Sequence, residues 1–309
     1  MIIHEGYENL NLVTPVVTLG IFDGVHRGHR ALLDCLVSRA KEAKGESVVI
    51  TFSPHPRLIL EKNRNDLSFL TTREEKILLL ENTKVNHLII IEFNKQFSSI
   101  RACDFINDVL VEKIGTKHLI IGYNHHFGRS RKGDFNTIKQ CAESLDFLVE
   151  QVQGFHTEEG TISSSSIREA LLKGKLDEAN RWLGYPYSVS GTIIEGKQLG
   201  RSIGFPTANI KPDYQYKLIP GNGVYAVEVQ LDGLMYPGML SIGSNPTVNE
   251  DVEKRSIEVH ILNFNEDIYG RRISVIFRKR LRDEIKFKNT AQLAEQINLD
   301  KQQALLLFS

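Results

Sequence analysis

Five short apolar runs constrain the first half of this chain more than any other feature: VVTLGI (16–21), SVVITF (47–52), HLIIIEF (87–93), HLIIG (118–122) and FLVEQV (147–152). They show little polar–apolar alternation, the pattern of strands buried on both faces. Helical spacing fills the gaps. Leu32, Leu36, Ala40 and Ala43 recur about every four residues ahead of Gly45, where a helix would stop. TREEKILLLENTK (72–84) and ACDFINDVLVEKIG (102–115) repeat the pattern, the second again ending on glycine. Strand and helix in strict alternation predict an α/β domain with a doubly wound, largely parallel sheet. Ligands of such a sheet lie beyond the carboxyl ends of the strands, and the loop after Ile21 is in that place.

Two short helical segments, SSIREALLKG (165–174) and LDEANRWLG (176–184), close this half. From Tyr187 the period changes. SVSGTII, GVYAVEVQLDG, LMYPGML, SIEVHILN and RISVIFR are strand-like segments joined by Gly, Asp and Pro turns. A helical stretch, 290–307, ends the chain. This half predicts a small antiparallel β-barrel with a terminal helix. A length of 309 residues suits two cores, and the boundary falls near Gly184, giving domains 1–184 and 185–309.

Lys plus Arg and Asp plus Glu both number 38, so no global field recruits nucleic acid or a membrane surface, and any anion site is local. Cys35, Cys103 and Cys141 stand far apart with no CxxC pair. That suits a reducing compartment and argues against a disulfide framework and a thiolate zinc site. The N-terminus carries no charged-then-apolar signal, and no apolar run approaches ~18 residues, so the expected location is the cytoplasm.

His26 and His29 flank Gly28 where the first strand turns into the first helix. A helix start offers unpaired N–H groups and about half a positive charge, which favours phosphate. Gly24 and Gly28 let backbone approach a ligand, and both imidazoles can face one anion and donate N–H to a phosphoryl oxygen. Zinc ligation would need further partners that no motif supplies. Two ordinary loop histidines remain the alternative. In the second half, PTAN (206–209) puts the Thr207 hydroxyl and Asn209 amide on one face of an extended segment, hard oxygens suited to Mg²⁺ beside ATP phosphates, or simply a turn. In SIEVHIL, Ile257, Val259 and Ile261 share one face and Glu258 and His260 the other. Glu258 could act as general base on a primary alcohol or be a solvated strand carboxylate.

GIFDGVHRGH (20–29) resembles the HxGH-type signature of nucleotidylyltransferases. In its longer form, FDGVHxGH, it is similar to the flavin-adenylating module of the bacterial bifunctional riboflavin kinase/FAD synthetase family. TFSPHP (51–56), GYNHHFGRSRKGD (122–134) and ISSSSIREAL (162–171) follow in that family's order. The resemblance implies a Rossmann-like nucleotidylyltransferase domain. In it Gly20, Phe22, Asp23, Gly24 and Gly28, with Ser163, Ser164 and Ser165, cradle the nucleotide. His26, His29 and Arg168 serve the reaction, and Asn124 and Phe127 contact the flavin. Asn124 stands where many members have Asp. Adenylyl transfer suits this set, since the attacking phosphate is already an anion and needs no strong base. The serine run, read as lying just before a helix, is a second anion site or a cap.

GRSIGFPTANI (200–210), GVYAVEV, SIGSNPTV and IEVHILNFNEDIYG similarly match the order and spacing of the family's riboflavin kinase module. That implies an ATP loop containing Gly200, Arg201, Gly204 and Pro206, with Thr207 and Asn209 for Mg-ATP and Glu258 as base on the riboflavin 5′-hydroxyl. LRDEIKF (281–287) places Arg282 and Phe287 near the isoalloxazine. Asn263 stands at a position that is often Asp. The implied activities are riboflavin plus ATP to FMN, then FMN plus ATP to FAD and pyrophosphate. Mg²⁺ and ATP serve both steps, with riboflavin, FMN and FAD as substrates and products. No nucleic-acid or membrane partner is implied, and a weak homo-oligomer stays open. A rival reading, an RNA-binding module fused to a nucleotide-binding fold, draws on the HxGH, the small barrel and the basic run FRKRLR (277–282). Zero net charge and the PTAN–Glu258 pairing weigh against it.

Overall fold

In the computed structural model the described residues are 1–123, 128, 133, 135–142, 145, 147–153, 156–157, 160–195, 204–244 and 255–308. They separate into two compact units, Met1–Ser164 and Ser165–Ser309.

The first unit is built on a six-stranded sheet, β1 (Ile2–Glu5), β2 (Val16–Leu19), β3 (Ser47–Ser53), β4 (His87–Glu92), β5 (His118–Gly122) and β6 (Leu148–Val152), in the order β1-β4-β3-β2-β5-β6. Every neighbouring pair runs parallel. Successive residues feed opposite cores. Val17, Val48, Ile50, Ile89 and Leu119 enter one cluster, while Val16, Val49, Leu88, Ile90 and Ile120 enter the other. That two-sided burial is why the runs lack alternation. β1 was not expected from the sequence. It is a four-residue edge strand with Ile2 59% exposed, too short and too wet to leave an apolar run.

Helices cover both faces. α1 (Arg27–Glu42) buries Leu32, Leu33, Leu36 and Ala40, and Gly45 N–H closes its end on Ala40 O at 2.9 Å. The left-handed residue of that stop is Lys44 (φ 51°), not Gly45. Gly45 is needed for closeness: a Cβ there would lie 2.1 Å from Thr14 O. α2 (Pro56–Leu60) and α3 (Arg73–Glu81) follow, the latter opened by a reciprocal capping box between Thr72 and Glu75. α4 (Ala102–Asp104) runs into a π-helical turn, Phe105–Val111, which stops at left-handed Gly115. α5 (Phe135–Ala142) packs beside it. Cys103 and Cys141, 38 residues apart, form a disulfide between these two helices with Cα atoms 5.7 Å apart. The expectation of unpaired cysteines is corrected by that bond. A two-stranded ribbon, β7 (His156–Thr157) with β8 (Gly160–Thr161), completes the unit.

Strand order reverses at β2, which has β3 on one side and β5 on the other. The crevice at the carboxyl ends of β2 and β5 is therefore the switch point where ligands of open α/β sheets bind. The loop leaving β2 enters it and leads directly into α1.

The second unit carries α6 (Ser164–Leu172, whose first residue belongs to the first unit), α7 (Leu176–Leu183, ended by left-handed Gly184) and a closed antiparallel barrel. Its strands are β9 (Ser188–Ile194), β10 (Ala208–Pro212), β11 (Gly223–Leu231), β12 (Leu234–Ser244), β13 (Arg255–Ile261) and β14 (Arg272–Arg282), ordered β10-β13-β12-β11-β14-β9. Asp232 (φ 48°) and Gly233 (φ 82°) make the two-residue β11–β12 turn, whose positive φ values suit the twist of a hairpin. α8 (Thr290–Phe308) seats Ala304 against Ala226, Met239 and Leu262.

Candidate active sites

The β2–α1 loop is held in an unusual backbone path by its own buried side chains. Phe22 (φ 51°) and Val25 (φ 35°) both occupy positive φ, which is costly for residues with a Cβ. Each is almost fully buried, Phe22 at 1% and Val25 at 0% exposure, and that burial offsets the local strain. Gly24 (φ 83°) supplies the turn between them. Asp23 is buried too. Its carboxylate accepts from Leu70 N–H at 2.9 Å and from Thr71 N–H at 3.0 Å, while Thr71 Oγ1 accepts from Gly24 N–H at 3.1 Å. The Asp23 carbonyl accepts from Ser164 Oγ at 2.8 Å. Phe22 and Asp23, expected beside the nucleotide, thus turn their side chains into the protein and brace the loop.

His26 caps α1: its Nδ1 accepts from His29 N–H at 3.2 Å, which leaves the ring proton on Nε2. The two imidazoles stack with centroids 3.7 Å apart and planes 15° apart. Phe22 meets the His29 ring edge-on at 5.1 Å. Gly28 has a structural duty besides the backbone approach expected of it. A Cβ there would come within 3.2 Å of the His26 ring, so Gly28 makes room for the imidazole. Gly20 likewise leaves room for Phe22, whose ring a Cβ would meet at 3.1 Å. Burial, then the neighbouring His26 and the charge of Lys76, hold His29 well below the usual histidine range, so its ring is neutral near pH 7. His29 Nδ1 is buried and has no hydrogen-bond partner among the described residues.

Ser164, Ser165 and Ser166 form the first turn of α6 instead of preceding it, and only Ser163 lies before the helix. Arg168 Nη2 donates to Ser165 Oγ at 3.2 Å. Ser165 and Arg168 belong to the second compact unit. Asn124, Phe127, Gly200 and Arg201 lie outside the described residues, as do His125, Arg129, Arg131 and Lys132.

In the barrel, register brings the second set together. Asn209 of β10 stands directly opposite Glu258 of β13, and Ala208 opposite Val259. Cross-strand partners share a face, so the Asn209 amide and the Glu258 carboxylate project together. Thr207 Oγ1 donates to Glu258 Oε2 at 3.3 Å, joining the trio. The burial of β13 alternates as expected, with Ile257, Val259 and Ile261 inside and Glu258 and His260 half-buried. His260 has a task the sequence did not disclose: Nδ1 pairs with Pro206 O at 2.7 Å, and its ring meets Phe205 edge-on at 5.6 Å. It ties the approach to Thr207, after left-handed Gly204, onto β13. Among the described residues no three His, Cys, Asp or Glu side chains converge as a metal set. A hydroxyl, an amide and a carboxylate oxygen nonetheless suit Mg²⁺, which takes few protein ligands when substrate phosphates supply the rest.

Arg282 and Phe287 also meet, the guanidinium carbon 5.8 Å from the ring centroid. Arg282 is at the same time paired with buried Asp300 of α8, with Nη2 2.8 Å from Oδ2. The other arginines of the basic run are paired as well: Arg278 with Glu228 at 2.5 Å and Arg280 with Asp283 at 2.5 Å. Lys76 was missed by sequence reading. It is 9% exposed, with Nζ 3.4 Å from Thr51 Oγ1, although nothing in the helical pattern of 72–84 sets it apart from its charged neighbours.

Comparison with known proteins follows the same division. The FAD synthetase family matches residues 10–166 and the riboflavin kinase family residues 183–308. A bifunctional riboflavin kinase/FMN adenylyltransferase of Bacillus subtilis is 37% identical, covering 95% of this chain and 92% of its own. That of Escherichia coli K12 is 36% identical, over 98% of this chain and 97% of its own. A solved Streptococcus pneumoniae structure described as a macrolide-efflux protein is 32% identical, covers 97% of each chain and superposes with a TM-score of 0.87. Among the described residues here, no helix is long and apolar enough to cross a membrane.

Proposed function

The chain belongs to the bifunctional riboflavin kinase/FMN adenylyltransferase family, and from that premise we propose which residues perform each of its two reactions. It phosphorylates riboflavin to FMN with ATP, and it adenylylates FMN to FAD with a second ATP, releasing pyrophosphate. The kinase module follows the adenylylating one along the chain. On this reading the functional boundary is Gly184, with α6 and α7 in the adenylylating domain, and the enzyme works in the cytoplasm.

Adenylyl transfer joins an FMN phosphate oxygen to the α-phosphorus of ATP and breaks the α–β bridge. The attacking oxygen is already ionised, so the site must align and stabilise without removing a proton. His26 Nε2–H and the neutral His29 ring, rigidly stacked at the switch point, are the N–H donors for charge on the α-phosphoryl oxygens. The single observation that carries this reading is that stack, 3.7 Å between centroids at the N-terminus of α1. Ser163, Ser165 and Arg168 are assigned to the same nucleotide. Gly20, Phe22, Asp23, Gly24, Gly28 and Ser164 act by shaping and bracing the loop, while Asn124 and Phe127 are assigned to FMN.

Phosphoryl transfer needs a proton removed from the riboflavin 5′-hydroxyl as its oxygen attacks the γ-phosphorus. Glu258 is the base. Its Oε2 receives the Thr207 hydroxyl at 3.3 Å, which orients the carboxylate and leaves Oε1 for the substrate. Thr207 and Asn209 would hold Mg²⁺, which when bound neutralises charge on the ATP phosphates. Gly200, Arg201, Gly204 and Pro206 form the loop around those phosphates, and Arg282 with Phe287 borders the flavin. The pairing of the arginines at 278, 280 and 282 supports a small-molecule reading over RNA binding. Incubation with riboflavin, Mg²⁺ and ATP, with flavins separated over time, tests the sequence of steps. FMN rising before FAD agrees with it; salt-sensitive RNA binding without flavin turnover contradicts it.

A further inference from the structure

A lysine ammonium inside a protein core has a reason to be there, because removing it from water is costly unless a partner compensates. Lys76 sits on the first full turn of α3, and the segment just before that helix, Leu70–Thr71, is the strap that grips the Asp23 carboxylate. Its Nζ donates to Thr51 Oγ1 at 3.4 Å, and the same hydroxyl donates to Ile21 O at 3.2 Å. One hydroxyl proton and one lone pair satisfy both contacts, so the ammonium is connected through Thr51 to the first residues of the β2–α1 loop. The carboxylate whose charge favours its protonated form is Asp23, from the middle of that loop.

We propose that Lys76 is a positioning residue for adenylyl transfer, its buried ammonium fixing the β2–α1 loop through Thr51 and Asp23 so that His26 and His29 hold their stack. The proposal rests on the assignment of FAD formation to those histidines. Electrostatics agree with the geometry. Burial pushes Lys76 down to about 8, Asp23 opposes that shift, and Arg73 on the same helix adds to it. Lys76 therefore remains mostly charged at pH 7, and its charge is one of the causes, after burial and His26, that keep His29 neutral. Arg73 is itself paired with Glu5.

The test uses the intact two-domain enzyme and reads three quantities for each variant. These are FMN-to-FAD turnover, riboflavin-to-FMN turnover as an internal reference, and the NMR titration of the His29 ring. Lys76→Met should lower kcat for FAD formation about tenfold to a hundredfold, as small misplacements of reacting groups do. It should leave FMN formation within about twofold and move the His29 titration upward, because a nearby positive charge is gone. Lys76→Arg should recover most of the loss. FAD turnover within about twofold of wild type in Lys76→Met overturns the proposal. So does a loss that Lys76→Arg does not recover and that leaves the His29 titration unmoved. Should Lys76→Met fail to fold, Thr51→Val decides: it breaks the connection while keeping the charge, and unchanged FAD turnover overturns the proposal. His29→Ala is the control for the underlying assignment. FAD formation surviving in that variant refutes the site itself, whereas its loss beside normal turnover in Lys76→Met refutes only the role of Lys76.

Discussion

His26 lies at 5% exposure at the start of a helix, under a braced loop, whereas Thr207, just ahead of β10, meets Glu258 on the half-buried face of β13. The chemistry assigned to each explains the contrast. On the proposed assignment an ionised phosphate attacks in the first site, where rings fixed by stacking, capping and buried neighbours would suffice. In the second a hydroxyl would lose its proton, and Glu258, the base proposed for it, projects from the half-buried face of β13. Rigidity in the first comes from strain offset by burial at Phe22 and Val25; in the second it comes from strand register. Two anion-handling sites on one chain need not share a design, because the protonation state of the attacking group sets what the protein must provide.

Substitutions that silence one side sharpen the contrast most. Glu258→Ala should lower FMN formation by about 10²–10⁴-fold, the usual contribution of a general base, with FMN-to-FAD turnover unchanged. Chromatography of the flavins reads both rates, and unchanged FMN formation would break the assignment. His29→Ala should lower FAD formation by about 10²–10³-fold while FMN accumulates, since preorganised donors to a developing anion contribute that much. Equal loss of both activities would erase the distinction between the sites. Gly28→Ala, which forces a methyl to within 3.2 Å of the His26 ring, should cost FAD formation about tenfold and spare the kinase.

Acid should distinguish the sites more gently. The His29 pKa is lowered in the folded protein, so below the unfolded value near 6.5 the unfolded state binds more protons. Stability from this group is therefore complete above 6.5 and is lost as pH falls toward the folded value. FAD formation should stay level from pH 7 through 6.5 and decline in more acidic buffer as His29 is protonated. A half-maximal rate at 6.5 would mean His29 is not shielded. Smallest of all, Gly45→Ala should lower the stability of the first unit by about 1–3 kcal/mol, as overpacking against Thr14 O does, with both activities intact at low temperature. Calorimetric melting measures that change.

Much of this contrast was legible in the residues. Two-sided apolar runs announced the parallel sheet, Gly, Asp and Pro turns between strand-like segments announced the antiparallel barrel, and His26-x-x-His29 marked the helix start. What escaped was held by partners that a linear pattern does not reveal. Asp23 is gripped by the backbone N–H groups of Leu70 and Thr71, far along the chain and carrying no side-chain signature. Lys76 left no signal because helical period alone does not say which polar position is buried. Cys103 and Cys141 lacked any spacing motif, and only the packing of α4 against α5 joins them. Thr207, Asn209 and Glu258 carried the right chemistry, but their meeting required the register of β10 on β13.

Mixing two inactive halves tests the central claim most directly. Full-length Glu258→Ala and His29→Ala enzymes, each unable to make FAD from riboflavin, should together restore it in the presence of ATP and Mg²⁺. FMN released by the His29 variant then feeds the intact histidine pair of its counterpart. No FAD from the mixture, or no FMN from the His29 variant alone, would contradict two separately acting sites.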